Sequence, residues 1–541
     1  MNPTAPMLTV RHAQGEAQIP CRAGMKLHEL LLSGGFAVQS SCGGNGSCGE
    51  CQVRVATAAA IPITDVERLR LTAAQLDDGI RLACQLTPTT DTQVTLVRPV
   101  MQMAWRALRE DEYCKVELAD SAQPTAVRFG VAIDLGTTHI RITLCDLTRG
   151  VRIAGRTGLN PQASYGSDVL TRLMEAAHST EIARRIGGVL QQAIAEALAE
   201  ISMSAAVDLR MVGKVALVGN TAMLSLLAGK NHALLLQPEN WTLRIDCQPD
   251  DTGLLRDAWG LAHDADIRFV APLGGFIGSD LLAGLVATRL TERPAGSLLI
   301  DFGTNSEMAL WDGSMLYVTS SAGGPAFEGS GISCGMPGEN GAIFRLQQDG
   351  SGFALRVLGD AEPLGVCGSG LVDAVAWLLR NGKLDRVGRF CESERNGFVL
   401  HEGAQHIALL RGDIDVLQRA KAAIGGGVEW LCRQAGLPLS ALREVYACGA
   451  FGHLLDVDNA RQIGLLPPVG TQQVRLESNA ALAGCEMLLM SAAAESELEW
   501  LRGCSRVFNL AEDAEFESLF VNNLYLQPMQ ISEPDHQPDR G

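Results

Sequence analysis

Positive charge is scarce in this chain. Its 44 Lys and Arg stand against 61 Asp and Glu, a formal charge of −17, and a surface of that sign repels the phosphates of a nucleic acid. Long apolar runs are missing too: no uncharged apolar stretch reaches the roughly eighteen residues that a membrane-crossing helix needs. The N-terminus has neither a basic start nor an apolar signal core, so the expected location is the cytoplasm. The histidines (His28, His139, His178, His232 and others) fall at no metal-ligand spacing, and no nucleophile–base constellation stands out. Eleven of the 15 cysteines, among them Cys21, Cys114, Cys145, Cys247 and Cys504, follow no disulfide framework. Free thiols at that density fit a reducing compartment. Apolar residues, by contrast, make up 47% of the 541, enough for several well-cored domains and no long disordered region.

Four cysteines stand apart. Cys42, Cys48 and Cys51 lie in Ser41-Cys42-Gly43-Gly44-Asn45-Gly46-Ser47-Cys48-Gly49-Glu50-Cys51, and Cys84 follows after a long gap in Arg81-Leu82-Ala83-Cys84-Gln85. The pattern C-x5-C-x2-C…C has one more residue in its first gap than the C-x4-C-x2-C…C of plant-type 2Fe–2S proteins. Glycines between the cysteines let the loop curl and bring N–H groups near sulfur. Met7–Val10 and Ala17–Pro20 read as strands about a turn at Gln14-Gly15, Lys26–Leu32 as a helix, and Gln52–Val55 and Gln93–Val97 as further strands. The competing reading is a structural zinc site. Such sites pair two C-x2-C units, and here there is one. Residues 1–98 are therefore expected to form an α+β ferredoxin-like 2Fe–2S domain of β-grasp type.

Residues 99–127 read as a linker with some helix or strand of its own, since they lack the Gly/Ser richness of a loose tether. From there the texture is α/β. Phe129-Gly130-Val131-Ala132-Ile133 runs as a strand into Asp134-Leu135-Gly136-Thr137-Thr138, and His139–Leu144 leaves as a second strand. The same unit recurs at Ser297–Ile300, Asp301-Phe302-Gly303-Thr304-Asn305 and Ser306–Leu310. A D-x-G-T hairpin can offer hydroxyls and N–H groups to phosphate oxygens and a carboxylate to a metal-bound water; alone, it is also an ordinary turn opening with Asp. Its recurrence implies two related lobes, 128–292 and 293–541, that share one nucleotide. Glu444–Cys448 then runs as a strand into Gly449-Ala450-Phe451-Gly452, a small-residue turn against which a nucleoside can pack.

These hairpins and the late turn resemble the ATP site of the actin-like superfamily, whose lobes are RNase H-like. With the cysteine domain in front, the whole chain resembles one family, the reductive activators of corrinoid proteins. Asn160-Pro161-Gln162, Val218-Gly219-Asn220-Thr221, Gly275-Phe276-Ile277-Gly278-Ser279-Asp280, Gly323-Gly324-Pro325-Ala326-Phe327-Glu328-Gly329, Gly365-Val366-Cys367-Gly368-Ser369-Gly370 and Ile463-Gly464-Leu465-Leu466-Pro467 extend the likeness in order. The resemblance implies an ATP-dependent return of an inactive Co(II) corrinoid of a methyltransferase system to Co(I), one electron at a time. It implies a 2Fe–2S cluster on Cys42, Cys48, Cys51 and Cys84, and Mg²⁺ with its waters at Asp134 and Asp301. Gly136, Thr137, Thr138, Gly303, Thr304 and Asn305 would meet phosphates, with Gly449 and Ala450 near the nucleoside. The partners implied are a corrinoid protein and a second copy of the chain, with no nucleic acid and no membrane; the upstream reductant is not identified. An ATP-coupled electron donor to another low-potential metalloenzyme would use the same parts, and a protein whose lobes merely gate docking is disfavoured by the two hairpin aspartates.

Three further readings are open to the structure. Cys334 and Cys367 sit in glycine-flanked loops like those of dehydratase activators that hold a 4Fe–4S cluster, but as small apolar residues they need no cluster. Glu181–Ile201 reads as an amphipathic helix. Ile414–Gly425 resembles the helix that crosses the cleft in the actin-like superfamily, and its Lys421 and Arg419 read as a solvated face.

Overall fold

The computed structural model describes residues 6–12, 15–34, 36, 38, 40, 42, 44, 46–56, 61–97, 105–114, 118, 127–166, 168–350, 352–403, 405–449 and 454–530. Ala450, Phe451 and Gly452 of the late turn lie outside them.

The N-terminal domain is a mixed five-stranded sheet. Strands β1 (Met7–His12), β2 (Gly15–Pro20), β3 (Gln52–Val55), β4 (Ile80–Leu82) and β5 (Thr92–Leu96) take the order β2-β1-β5-β3-β4, with β1 and β5 parallel and the other pairs antiparallel. The helix Leu27–Ser33 buries Leu27, Leu30 and Leu31 against Leu8, Val10, Val53 and Val94. The expected strands and helix are present; β4 was not foreseen. It is three residues long and buried throughout, so it has no alternation to read.

One buried ion pair organises the arm that leads to Cys84. Glu67 accepts from Arg81 Nε and Nη2 at 2.9 and 2.8 Å, from Leu82 N at 3.0 Å and from Thr64 N at 2.9 Å. Arg81 also donates to the carbonyls of Ile61 and Pro62. Burial by itself would raise the Glu67 carboxyl, but these donors outweigh it and hold the group below its ordinary value.

The remainder is a duplicated α/β unit. Strands β6 (Arg106–Ala107), β7 (Phe129–Leu135), β8 (His139–Asp146), β9 (Val151–Leu159), β10 (Val212–Gly219) and β11 (Asp266–Phe269) form a sheet of order β11-β10-β7-β8-β9-β6. In the second lobe β12 (Ser297–Asp301), β13 (Ser306–Trp311) and β14 (Leu316–Ser321) begin a second sheet. The strands β15 (Ala342–Asp349), β16 (Gly352–Val357) and β17 (Gly365–Val366) form a small sheet, and β18 (Phe398–Glu402) and β19 (His406–Leu409) form a ribbon. Then β20 (Glu444–Cys448), β21 (Val474–Leu476) and β22 (Ser505–Phe508) complete the order β21-β20-β12-β13-β14-β22. In each lobe the D-x-G-T hairpin is the antiparallel pair at the sheet centre, β7–β8 and β12–β13, flanked by a parallel strand, β10 or β20.

Two helices lie between the sheets, Ser279–Thr288 and Ala480–Met490, buried at every residue except the half-buried Asp280. They cross in backbone contact: a side chain at Gly484 would collide with the Ala283 carbonyl. The second of them comes late in the chain yet packs on β7, β8 and β10 of the first sheet. There Glu486 accepts from Thr143 Oγ1 at 2.8 Å and from Arg152 Nε at 2.9 and 2.8 Å, one to each oxygen.

Two helices run past their expected ends. The helix expected over 181–201 spans Thr180–Ala205 and buries Ile186, Leu190 and Ile194. The other, Arg411–Gln434, continues through Gly425-Gly426-Gly427 because these glycines are its contact surface: Cβ atoms there would press on Asn523, Phe520 and Met308. The same packing corrects the solvated-face reading of Lys421. Its side chain is fully buried under residues 525–529 and donates to the Tyr525 carbonyl at 2.7 Å, and burial pulls its pKa down to about 7.

Replacing Glu67 by Gln is expected to destabilise the N-terminal domain by about 3–5 kcal/mol, because it strands a buried guanidinium. Since the native carboxyl is held low, its contribution is complete above the unfolded value near ~4.3 and disappears as pH falls through the folded value. Denaturant titrations of both proteins from pH 7 to pH 3 check this; curves that fail to converge toward acid pH would refute it.

Candidate functional site

The four cysteines form two pairs. Cys42 Sγ and Cys48 Sγ are 3.3 Å apart, and the Cys84 N–H points at Cys51 Sγ at 3.5 Å, with the two thiols also hydrogen-bonded to each other. In each pair one thiol is pushed down and its partner up. Cys42 falls to about 3, chiefly through its hydrogen bond with Cys48, and Cys84 falls through its bond with Cys51. Two dithiol pairs suit a cluster of two irons, each taking two thiolates, whereas a zinc ion would take all four. Gly44, Gly46 and Gly49 hold φ of +92°, +91° and +76°, which gives the loop its curl. The Cys42 edge, with Lys26, His28 and Gly44, opens into a cleft of about 890 Å³ walled on its far side by Tyr165, Met174, His178 and Arg185 of the first lobe.

Between the lobes the two hairpins face each other. Asp134, Gly136, Thr137, Thr138, Asp301, Gly303, Thr304, Asn305 and Gly449 all line one cleft. Gly136 N donates to the His139 carbonyl at 3.0 Å, and a side chain at 136 would strike that same carbonyl. Asn160 buckles the first hairpin, its N–H donating to Thr138 O and its side-chain amide to Gly136 O at 2.9 Å. Gly449, at φ +96°, sits where a side chain would collide with the Phe302 carbonyl, so the end of β20 lies directly against the second hairpin.

Sequence reading missed the carboxylates that complete this cleft. Asp280, at the start of the helix Ser279–Thr288, Glu307 on β13 and Glu328 join Asp134 and Asp301. Burial raises all five, and repulsion from neighbouring carboxylates adds to it for three: Asp301 rises to about 6, Asp280 to about 8, and Glu307 rises beside Asp280, while Arg141 opposes the rise at Asp134 and the two threonine hydroxyls oppose it at Glu328. Among the described residues a single guanidinium hydrogen-bonds to any of them, Arg141 Nη1 to Asp134 Oδ2 at 3.2 Å. The cleft therefore has a deficit of positive charge that a divalent cation fits. The donor that fits phosphate is also present: Asn305 Nδ2 is buried with no partner. Gly323-Gly324 and Gly368-Ser369-Gly370 do not line this cleft. Gly370 backs onto the Ile343 carbonyl and Gly323 faces the Ala420 carbonyl, so both runs serve close packing. The thiols of Cys334 and Cys367 are raised by burial, Cys334 to about 12, which fits small apolar residues.

A clasp joins the hairpins across the lobes. Thr138 and Thr304 hydroxyls both donate to Glu328 Oε2, at 2.7 and 2.6 Å, and stand 3.0 Å from each other. A hydroxyl has one hydrogen, so it cannot serve both Glu328 and a phosphate oxygen. Glu328→Gln is expected to raise the affinity for ATP several-fold in calorimetry, because the competing anion is gone. An unchanged or weaker affinity would contradict the competition.

Comparison with known proteins follows the same division. Residues 10–89 match the 2Fe–2S iron–sulfur cluster binding domain, 129–293 the RACo middle region, and 295–536 the C-terminal ASKHA domain of RACo. The chain is 31% identical over 420 residues to the corrinoid activation enzyme RamQ of Eubacterium limosum, covering 73% of this chain and 70% of that one. It is 27% identical over 406 residues to the Co(II) methylated amine-specific corrinoid protein reductase of Methanosarcina barkeri, covering 69% and 72%. A solved reductive activator for a corrinoid, iron–sulfur protein has the same fold over 97% of this chain and 99% of its own, with a TM-score of 0.66 at 23% identity. The matches to all three parts and the 31% identity over most of both chains place it: the chain belongs to the family of reductive activators of corrinoid proteins.

Proposed function

We propose that this protein uses ATP to return the inactive Co(II) form of a corrinoid protein to Co(I). One electron passes from the reduced N-terminal domain, which is oxidised, to the cobalt, which is reduced. The observation that carries this reading is the presence in one chain of two dithiol pairs and of two D-x-G-T hairpins facing across one cleft. A 2Fe–2S cluster, when bound, supplies the one-electron chemistry; Cys42 with Cys48 and Cys51 with Cys84 would hold it. Asp134 and Asp301 would hold Mg²⁺ through its waters, and Gly136, Thr137, Thr138, Gly303, Thr304 and Asn305 would bind phosphates. Gly449 and Ala450 would border the nucleoside.

Energy input is needed because the Co(II)/Co(I) couple lies low. Each 59 mV of unfavourable gap in a one-electron step costs about 1.4 kcal/mol. Binding that favours one arrangement of the lobes can shift the equilibrium only by its differential affinity for that arrangement. In that account the phosphates replace Glu328 between Thr138 and Thr304, so the contact joining the lobes differs with and without nucleotide. The partition into 1–98, 99–127, 128–292 and 293–541, the cytoplasmic location and the homodimer belong to the same proposal; limited proteolysis, fractionation and light scattering test them.

The protein, a Co(II) corrinoid protein from the same organism, ATP with magnesium and a low-potential reductant are expected to give the Co(I) absorbance only when all are present. Reduction that is indifferent to ATP would overturn the proposal. Asp134→Ala is expected to abolish ATP dependence while leaving the cluster's visible absorbance, and Cys48→Ser to do the reverse. Loss of the absorbance in Asp134→Ala would assign that residue to structure.

A further inference from the structure

The segment between the N-terminal domain and the first hairpin is fastened to both lobes. Arg106–Ala107 adds β6 to the edge of the first sheet, pairing Arg106 with Thr157 and Ala107 with Arg156. Leu108 N donates to the Gly155 carbonyl at 3.2 Å, and the Trp105 ring lies flat against Gly158, where a Cβ would come within 2.9 Å of it. The next turn, Glu110–Glu112, is closed by Arg106, whose Nη1 and Nη2 donate to both Glu112 oxygens at 2.7 and 2.6 Å. Its outward carbonyls are taken by the second half of the chain. Ser478 Oγ donates to Asp111 O at 3.1 Å, Asn479 Nδ2 to Glu112 O at 2.6 Å, and Cys114 Sγ to Glu477 Oε2 at 3.3 Å. Three consecutive residues, Glu477, Ser478 and Asn479, thus hold the strap to the second lobe.

Asn479 also belongs to the nucleotide cleft, which it lines together with Ala480 and Ala481. It stands in the left-handed region, φ 47° and ψ 45°, as the cap of the helix Ala480–Met490 that runs between the sheets. A carbonyl can only accept, so the atom facing Glu112 O is the amide nitrogen and the remaining atom is Oδ1. That oxygen is buried and has no partner, in a residue only 8% exposed. A buried acceptor left open at the wall of a ligand cleft is the feature of a site completed by its ligand. The strap's own Arg106, Arg109 and Glu112 line an adjoining cleft shared with Arg141 and Glu328.

We propose that Asn479 is the positioning residue that couples the nucleotide to the N-terminal domain. Its open Oδ1 accepts a hydrogen bond from the bound nucleotide–magnesium unit, through a metal-bound water or a ribose hydroxyl. Its amide carries the resulting displacement to Glu112 and so to the strap Trp105–Cys114. This rests on the nucleotide reading of the cleft and adds to it the route by which the nucleotide state reaches the electron-donating end.

Hydrogen–deuterium exchange on the full, cluster-loaded chain tests the coupling, with and without ATP and magnesium, alongside calorimetric ATP binding. In the native protein, ATP is expected to change amide exchange across 105–114 by at least about tenfold, as a shift in local opening. Asn479→Gly tolerates the left-handed backbone but removes both amide functions; Asn479→Asp keeps the acceptor and removes the donor to Glu112. Both variants are expected to bind ATP within about tenfold of native, yet to show no ATP response at 105–114. Native ATP binding without a strap response, or a native response in both variants, would overturn the inference. Absence of ATP binding in the native chain would overturn the nucleotide reading as well.

Discussion

Five carboxylates share the cleft between the lobes, and the rest of the architecture is arranged around that concentration of buried negative charge. Isolated carboxylates taken out of water are costly, and each one here raises the cost of its neighbours. Arg141 reaches Asp134, while Arg172 is turned away to the carbonyls of Thr137 and Gly166. Protons relieve part of the strain, as in the hydrogen-bonded Asp280 and Glu307. A bare polyphosphate would meet repulsion, whereas a metal-bound one brings the missing positive charge with it. On the proposed reading cation and phosphates would be recognised jointly, because the two hairpins share one cleft.

Bringing two such hairpins face to face requires the sheets to be close, and small residues make that possible. The crossing at Gly484 and Ala283 leaves no room for a side chain, and both crossing helices are mostly apolar, with Asp280 turned to the cleft and Glu486 to the first sheet. The buried tie of Glu486 to Arg152 and Thr143 anchors the late helix to the first sheet. The chain order 128–292 then 293–541 therefore does not translate into two separable bodies. The helix that begins at Asn479 serves the first lobe, the second lobe and the cleft wall together.

Features carried by contiguous residues could be read from the sequence, and features assembled from distant ones could not. The cysteine loop, the two D-x-G-T turns and the strand into Gly449 are local, so their spacing exposed them. Asp280, Glu307 and Glu328 are single acidic residues in three different segments, and although Asp280 and Glu328 lie in family-like stretches, nothing marks their charge as part of one site until the fold gathers them. Asn160 likewise lies within a family-like segment, although its work on the hairpin is not visible there. Lys421 misled because its own helix is polar around Arg419, while the cover over it comes from residues about a hundred positions later. Glycines 425–427 misled in the other direction, since three in a row resemble a helix stop until a neighbouring helix is laid against them.

The buried Arg81–Glu67 pair bears on the cost of assembling the thiol site. It fixes the 61–67 segment to β4 and sets the path of the chain into Cys84 through hydrogen bonds among protein groups alone. The position of the fourth thiol beside Cys51 is thus supported by a buried polar network that involves no thiol. Where a metal must itself gather its ligands, binding energy is consumed in ordering the chain. Here the approach to Cys84 is ordered by protein groups, so less of that cost falls on whatever the thiols bind.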